Sequence, residues 1–107
     1  MLYSKQQIIN IRKNLELCKP FTKIDIFKYN HSESKEHNLK MCKQFVELKS
    51  ENLCIAVRPT LLNNNIPDLM ILNFDKPMIK EIMKSESDER FEEKDYMGIE
   101  KIKVKVK

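Results

Sequence analysis

The residues with chemistry to offer are two carboxylates in apolar surroundings. Asp68 and Glu81 lie thirteen positions apart in the run Ile66-Pro67-Asp68-Leu69-Met70-Ile71-Leu72-Asn73-Phe74-Asp75-Lys76-Pro77-Met78-Ile79-Lys80-Glu81-Ile82-Met83-Lys84. The run reads as two adjacent strands, 67–73 and 78–83, joined by a tight connection at 73–76. A carboxylate in an apolar strand is costly unless a cation or a metal ion compensates it. Two acids converging at a sheet edge are how a protein holds Mg²⁺ against a phosphate. The competing reading makes Asp68 a Pro-Asp turn residue and Glu81 a solvent-facing strand residue. The apolar neighbours Ile79, Ile82 and Met83 weigh against the second half of it.

Several elements must position these acids. Ser4 to Cys18 reads as a helix, with Ile8, Ile11, Leu15 and Cys18 on one face, Ser4 as N-cap and Pro20 as the stop. Lys23 to Tyr29 alternates loosely and reads as a short strand. Ser34 caps a helix to about Lys49, with Leu39, Cys42, Phe45 and Val46 as its buried stripe and Glu36 at its start. Leu53 to Val57 is an apolar strand, and Asn63-Asn64-Asn65 a turn. Ser85 caps a helix from Glu86 to about Tyr96, which Gly98 ends. Ile99 to Val106 alternates, with Ile102, Val104 and Val106 on one face and Lys101, Lys103, Lys105 and Lys107 on the other.

Length, charge and cysteines bound the answer. With 107 residues, 41% hydrophobic and 34% charged, the chain suits one small folded domain. The net charge of +4 is uneven: +4 over 1–30, +1 over 31–66, −5 over 67–100 and +4 over 101–107. The acidic block holds the paired carboxylates and both ends are basic, which suits a metal-dependent enzyme acting on a polyanion, or simply a set of solvated charges. Cys18, Cys42 and Cys54 form no Cys-x-x-Cys pair, which argues against zinc and for reduced core thiols in an intracellular, cytoplasmic setting. Neither a leader nor a membrane span is expected.

The order helix, three strands, helix, strand, with Pro67-Asp68 opening the second strand and Glu81 in the third, resembles the PD-(D/E)XK, or restriction-endonuclease-like, nuclease superfamily. The run 81–94 is similar to the third strand and following helix of small archaeal and viral members, and Ser34-Lys35-Glu36-His37 resembles the start of their first core helix. The resemblance covers roughly residues 33–107. It implies an α/β (α+β) core of αβββαβ order, a mixed sheet flanked by helices, with residues 1–30 as an N-terminal helical extension to a core at 31–107. It implies a metal-dependent DNA endonuclease or exonuclease, structure-selective or resolvase-like, working as a homodimer. Glu36, Asp68 and Glu81 would hold Mg²⁺ or Mn²⁺.

One position departs from the family pattern. The catalytic lysine belongs two residues after the glutamate, where this chain has Met83. Lys84, one residue later, is the first choice for that role, turned inward by a β-bulge. Lys40, Lys43 or Lys94 reaching over from a helix are the alternatives, as is a chain with no such lysine. Lys40, Lys43, Lys101, Lys103 and Lys105 would grip nucleic-acid phosphates; equally, the lysines of the last strand would guard a sheet edge. His37 points about 100° from Glu36 on its helix and takes a minor part. Tyr3, Tyr29 and Tyr96 look too scattered for a stacking platform. Two other functions remain open: a nucleic-acid-binding or assembly protein on the same fold without catalysis, and a protein-interaction module.

Overall fold

A computed structural model describes residues 2–83 and 88–105. Its elements run α1 (Lys5–Leu15), α2 (Lys35–Ser50), β1 (Ile55–Val57), β2 (Leu69–Ile71), β3 (Met78–Met83), α3 (Asp88–Glu93) and β4 (Glu100–Lys105). The sheet order is β1-β2-β3-β4, with β1·β2 and β2·β3 antiparallel and β3·β4 parallel. The predicted hairpin is present, and α3 lies in the crossover that a parallel pair requires. The result is a small α+β domain built on a mixed four-stranded sheet.

Alternation along the strands divides the core in two. Cys54, Ala56, Met70, Leu72 and Ile79 pack with Ile11, Cys18, Tyr96 and Ile99. Ile55, Leu69, Ile71 and Ile82 pack with Met41 and Leu48 of α2. The first thirty residues therefore contribute to the core through Ile11 and Cys18. All three cysteines are free thiols, and Cys18 and Cys54 are buried.

α1 starts at the expected cap. Ser4 Oγ accepts the Gln7 N–H at 3.1 Å, and Gln7 Oε1 accepts the Ser4 N–H at 2.8 Å. The helix ends at Leu15, three residues before the predicted Cys18, which instead forms a single bridge to Leu61. Its buried face is partly polar. Asn14 Nδ2 donates to the carbonyls of Leu72 (2.8 Å) and Phe74 (2.9 Å), and Asn10 Nδ2 to that of Asn73 (3.3 Å). The chain leaves β2 at this point, and the amides take up carbonyls the sheet no longer pairs.

The strand expected over Lys23 to Tyr29 is absent. Asp25 pairs with the β1 edge by itself: its N–H donates to the Ile55 carbonyl (2.6 Å) and its Oδ1 accepts the Ile55 N–H (3.0 Å). A left-handed φ of 60° then turns the chain away. Tyr3 Oη donates to Asp25 Oδ2 (2.7 Å) and Lys49 Nζ lies 3.0 Å from Oδ1, so the carboxylate is well satisfied.

α2 begins at Ser34, whose Oγ accepts the His37 N–H. Its buried stripe is Asn38, Met41 and Leu48, one residue out of register with the predicted stripe. Leu39 and Val46 are each 59% exposed, and Cys42 and Phe45 are half-buried. Asn38 occupies a core position because its amide closes the preceding loop, and that rotates the apolar residues around it. On β4 the predicted two faces hold in part. Lys101 Nζ donates to the carbonyls of Phe91 (2.7 Å) and Lys94 (2.9 Å), closing the end of α3. Lys101 and Lys103 also lie over the Phe91 ring at 4.9 and 5.5 Å. Helix α3 stops at Glu93, short of the predicted Tyr96, and Gly98 supplies a positive φ of 78° on the way into β4. Ser85 and Glu86, expected at its start, lie outside the described residues, as do Val106 and Lys107 at the end of β4. No helix among the described residues is long and apolar enough to cross a membrane.

The burial pattern gives a direct contrast. Asn14→Ala strands two carbonyls and should cost about 2–4 kcal/mol in urea unfolding. Leu39→Ala, on the exposed side of α2, should change stability by less than about 0.5 kcal/mol. A reversal of that ranking would contradict the α1 and α2 packing.

Candidate functional site

The β2–β3 register pairs Leu69 with Lys80, which sets Asp68 opposite Glu81 one step further along. The backbone ladder stops there and the side chains continue it. Glu81 Oε2 accepts the Asp68 N–H at 2.7 Å, and Asp68 Oδ2 accepts the Ile82 N–H at 2.7 Å. Each carboxylate thus holds the opposite strand's backbone. The Asp68 carbonyl accepts the Arg58 N–H (2.8 Å), tying the same point to the end of β1.

Glu81 is 3% exposed and fully served. Its Oε1 accepts from Lys94 Nζ at 2.9 Å and Tyr96 Oη at 2.8 Å. Charge-assisted bonds of this kind are what let a carboxylate stay in a core. Asp68 is less well compensated. Burial, and then the charge of Glu81, push its carboxyl up to about 6 from the usual 3.8. Glu33 adds to the rise, while the Ile82 N–H and His37 oppose it.

The remaining edge of Asp68 faces α2. His37 Nε2 lies 3.5 Å from Asp68 Oδ1 and 3.4 Å from Glu33 Oε2. That nitrogen is buried and meets hydrogen-bond geometry with neither oxygen. Glu33 sits just ahead of the helix, in a loop held by Asn38. Asn38 Nδ2 donates to the carbonyls of Asn30 (2.9 Å) and Ser34 (3.0 Å), and its Oδ1 accepts the Asn30 N–H (2.8 Å). Arg58 holds the other side of the Glu33 carboxylate, with Nη2 2.6 Å from Oε1, while its Nη1 donates to the Lys28 carbonyl (2.7 Å). Arg58 itself has a left-handed φ of 49°, a strained setting that aims its guanidinium back across the loop.

Glu33, His37 and Asp68 each bring one ligand atom within 4.8 Å of the others. Two carboxylate oxygens and an imidazole nitrogen suit a borderline divalent ion such as Mn²⁺ better than Mg²⁺, which prefers oxygen alone. The buried, unpartnered nitrogen of His37 fits such an ion. Glu81 does not, because three donors already occupy its two oxygens.

The sequence-predicted residues therefore separate. Asp68 and Glu81 come together, locked through backbone N–H groups. Glu36 is exposed on α2 and stands outside the trio, which instead takes Glu33, just ahead of the helix, and His37 of α2. Lys84 lies outside the described residues. Among the alternatives, Lys94 is the lysine found on Glu81, while Lys40 is half-buried and Lys43 exposed on α2. Lys101 is engaged in closing α3, Lys103 lies over Phe91, and Lys105 is exposed. Glu33, Asn38, Arg58 and Tyr96 were not singled out by sequence. The i, i+4 spacing of Glu33 and His37 was the available signal, since it puts both on one side of the helix start. No protein-family model, curated protein or solved structure matches the chain.

The raised Asp68 pKa has a stability consequence in metal-free protein. Between about pH 4 and 6 the folded state keeps a proton that the unfolded chain has released. Stability from this group is therefore full below pH 4 and lost as pH rises through 6, by about 3 kcal/mol. In chelator, Asp68→Asn should flatten that part of the pH–stability profile relative to the unsubstituted protein. Parallel profiles for the two proteins would refute the crowding of Asp68.

Proposed function

We propose that this chain is a metal-dependent deoxyribonuclease whose centre is built from Glu33, His37, Asp68, Glu81 and Lys94. The observation that carries the reading is the crossed Asp68–Glu81 pair at the end of a hairpin, with Lys94 on one side and the Glu33–His37–Asp68 trio on the other. The helix, three strands, helix, strand order from Lys35 to Lys105, antiparallel then parallel, supports the resemblance to the PD-(D/E)XK superfamily.

Glu33, His37 and Asp68 would hold the divalent ion, which supplies an activated water and neutralises phosphate charge. Glu81 acts one step behind. It fixes the Asp68 backbone and holds the Lys94 ammonium in place. Lys94, from beyond α3, does the work for which the family uses a strand lysine: it orients the attacking water and offsets charge on the phosphate. Arg58 balances Glu33, so the two acids facing His37 are not left to repel each other unchecked. DNA is the substrate class, and a homodimer remains the proposed working form.

A second reading has its own observation. Both Glu81 oxygens are taken by internal donors, as in a structural carboxylate. On that reading the fold binds nucleic acid without cutting it.

Cleavage of labelled linear, branched and single-stranded DNA with Mn²⁺ or Mg²⁺ separates the two. Nuclease action predicts Mn²⁺-dependent cutting that falls by about a hundredfold or more in Asp68→Ala and in Lys94→Met. Retention of DNA without any cutting by the unsubstituted protein, or cutting that both variants retain, would reject it.

A further inference from the structure

Residues 19–31 form a strap across the outer edge of β1, the strand that ends the sheet. It is pinned at three points. The Lys19 N–H donates to the Thr60 carbonyl (2.8 Å), Asp25 exchanges two hydrogen bonds with Ile55, and Arg58 holds the Lys28 carbonyl. Between the pins Ile24 and Phe27 pack inward against the two core clusters, and the outer side of the strap leaves an open groove of about 120 Å³ lined by Phe21, Lys23, Ile26, Lys28 and Arg58. Small-molecule and cofactor pockets begin at about 300 Å³, so this groove suits a single planar group.

The strap exposes what a folded domain normally covers. Phe21 is 70% exposed, Ile26 48% and Tyr29 53%. Scattered exposed apolar residues are ordinary. Here they alternate with exposed Lys23 and Lys28 on one pinned segment, and Tyr29 is paired with the His31 ring at 5.0 Å. Tyr29 thus has a ring partner on the strap that spacing among tyrosines did not disclose, because that partner is His31. The strap carries three lysines against one acid, and that acid, Asp25, is consumed by Tyr3, Lys49 and Ile55.

Aromatic faces interleaved with lysines match unpaired bases on a phosphate backbone. A duplex offers the backbone but keeps its base faces stacked, so Phe21 has nothing to gain from it. The groove also leads to the centre: Arg58, in its wall, bonds Glu33, and the strap runs from Tyr29 through His31 directly into Glu33. We infer that the 19–31 strap and the β1 edge form a binding site for a single-stranded nucleic-acid segment, with a base stacked on Phe21 and phosphates on Lys23 and Lys28. The inference rests on the nuclease reading for its consequence, which is delivery of an unpaired strand to Asp68.

Binding is measured by fluorescence anisotropy in chelator, which removes cleavage, using labelled oligothymidylate, oligouridylate and a DNA duplex of equal length. The single strand should bind at least about tenfold tighter than the duplex. Phe21→Ala should weaken it about tenfold while Phe21→Trp retains it. Lys23→Gln with Lys28→Gln should reduce the slope of log affinity against log salt by about 1.4. All these side chains are exposed, and thermal unfolding confirms that each variant is folded. The tighter of the two single strands identifies DNA or RNA as the ligand. Equal binding of duplex and single strand, or an unchanged affinity in Phe21→Ala, would overturn the site. Phe21-dependent binding without any metal-dependent cleavage would keep it and reject the nuclease reading, whereas cleavage without single-strand preference would do the reverse.

Discussion

Everything in this domain is arranged around two carboxylates that share the end of one hairpin. Asp68 and Glu81 face each other where the β2–β3 ladder runs out, and each accepts a backbone N–H from the other's strand. Two negative charges this close repel, and burial makes both more costly. The exchange of N–H groups recovers part of that cost and fixes the strands in register. A one-residue slip would separate the acids and turn every side chain of β3 to the opposite face.

The two acids are compensated unequally, and the difference divides their roles. Glu81 has a lysine and a tyrosine from the segment after α3, so that crossover is needed to make its burial tolerable. Among the described residues Asp68 has only the N–H of Ile82 and an imidazole 3.5 Å away, and burial with the nearby Glu81 charge pushes its carboxyl up. A second acid, Glu33, is brought to the same nitrogen by the Asn38-closed loop and restrained by Arg58. Such an arrangement is poorly balanced with protein groups alone. We propose that a divalent cation joining Glu33, His37 and Asp68 balances it, because one ion would offset both carboxylates and give His37 Nε2 a partner.

Much of this was legible in the residues, for identifiable reasons. Alternation and turn chemistry located β2, β3 and β4, and Ser4 and Ser34 marked both long helices. Asp68 and Glu81 stood out because acids are rare in apolar strands. The losses occur where a polar side chain replaces a backbone or apolar partner. Asn38 in the core of α2 shifted its buried stripe by one residue, while in α1 Asn10 and Asn14 are buried beside the expected Ile11 and leave Ile8 and Leu15 half-buried. Asp25 broke the alternating 23–29 segment with a left-handed turn. Glu36 is the acid that the helix start offers to a reading of the sequence, and Glu33 carries no such signal by itself. The acid that reaches Asp68 lies just outside, where a loop held by tertiary contacts can aim it. The roles of Arg58 and Tyr96 do not show in the sequence because they depend on contacts with residues 25 and 15 positions away.

We propose that Glu33, His37 and Asp68 form a metal centre selective for a borderline divalent ion. Isothermal titration with Mn²⁺ and with Mg²⁺, on the full chain and on His37→Gln and Asp68→Asn, tests it without relying on any substrate. The account predicts one Mn²⁺ per chain, bound at least about tenfold more tightly than Mg²⁺. It also predicts that His37→Gln abolishes the preference and Asp68→Asn removes binding. Absence of Mn²⁺ binding, or binding that both variants leave unchanged, would contradict it.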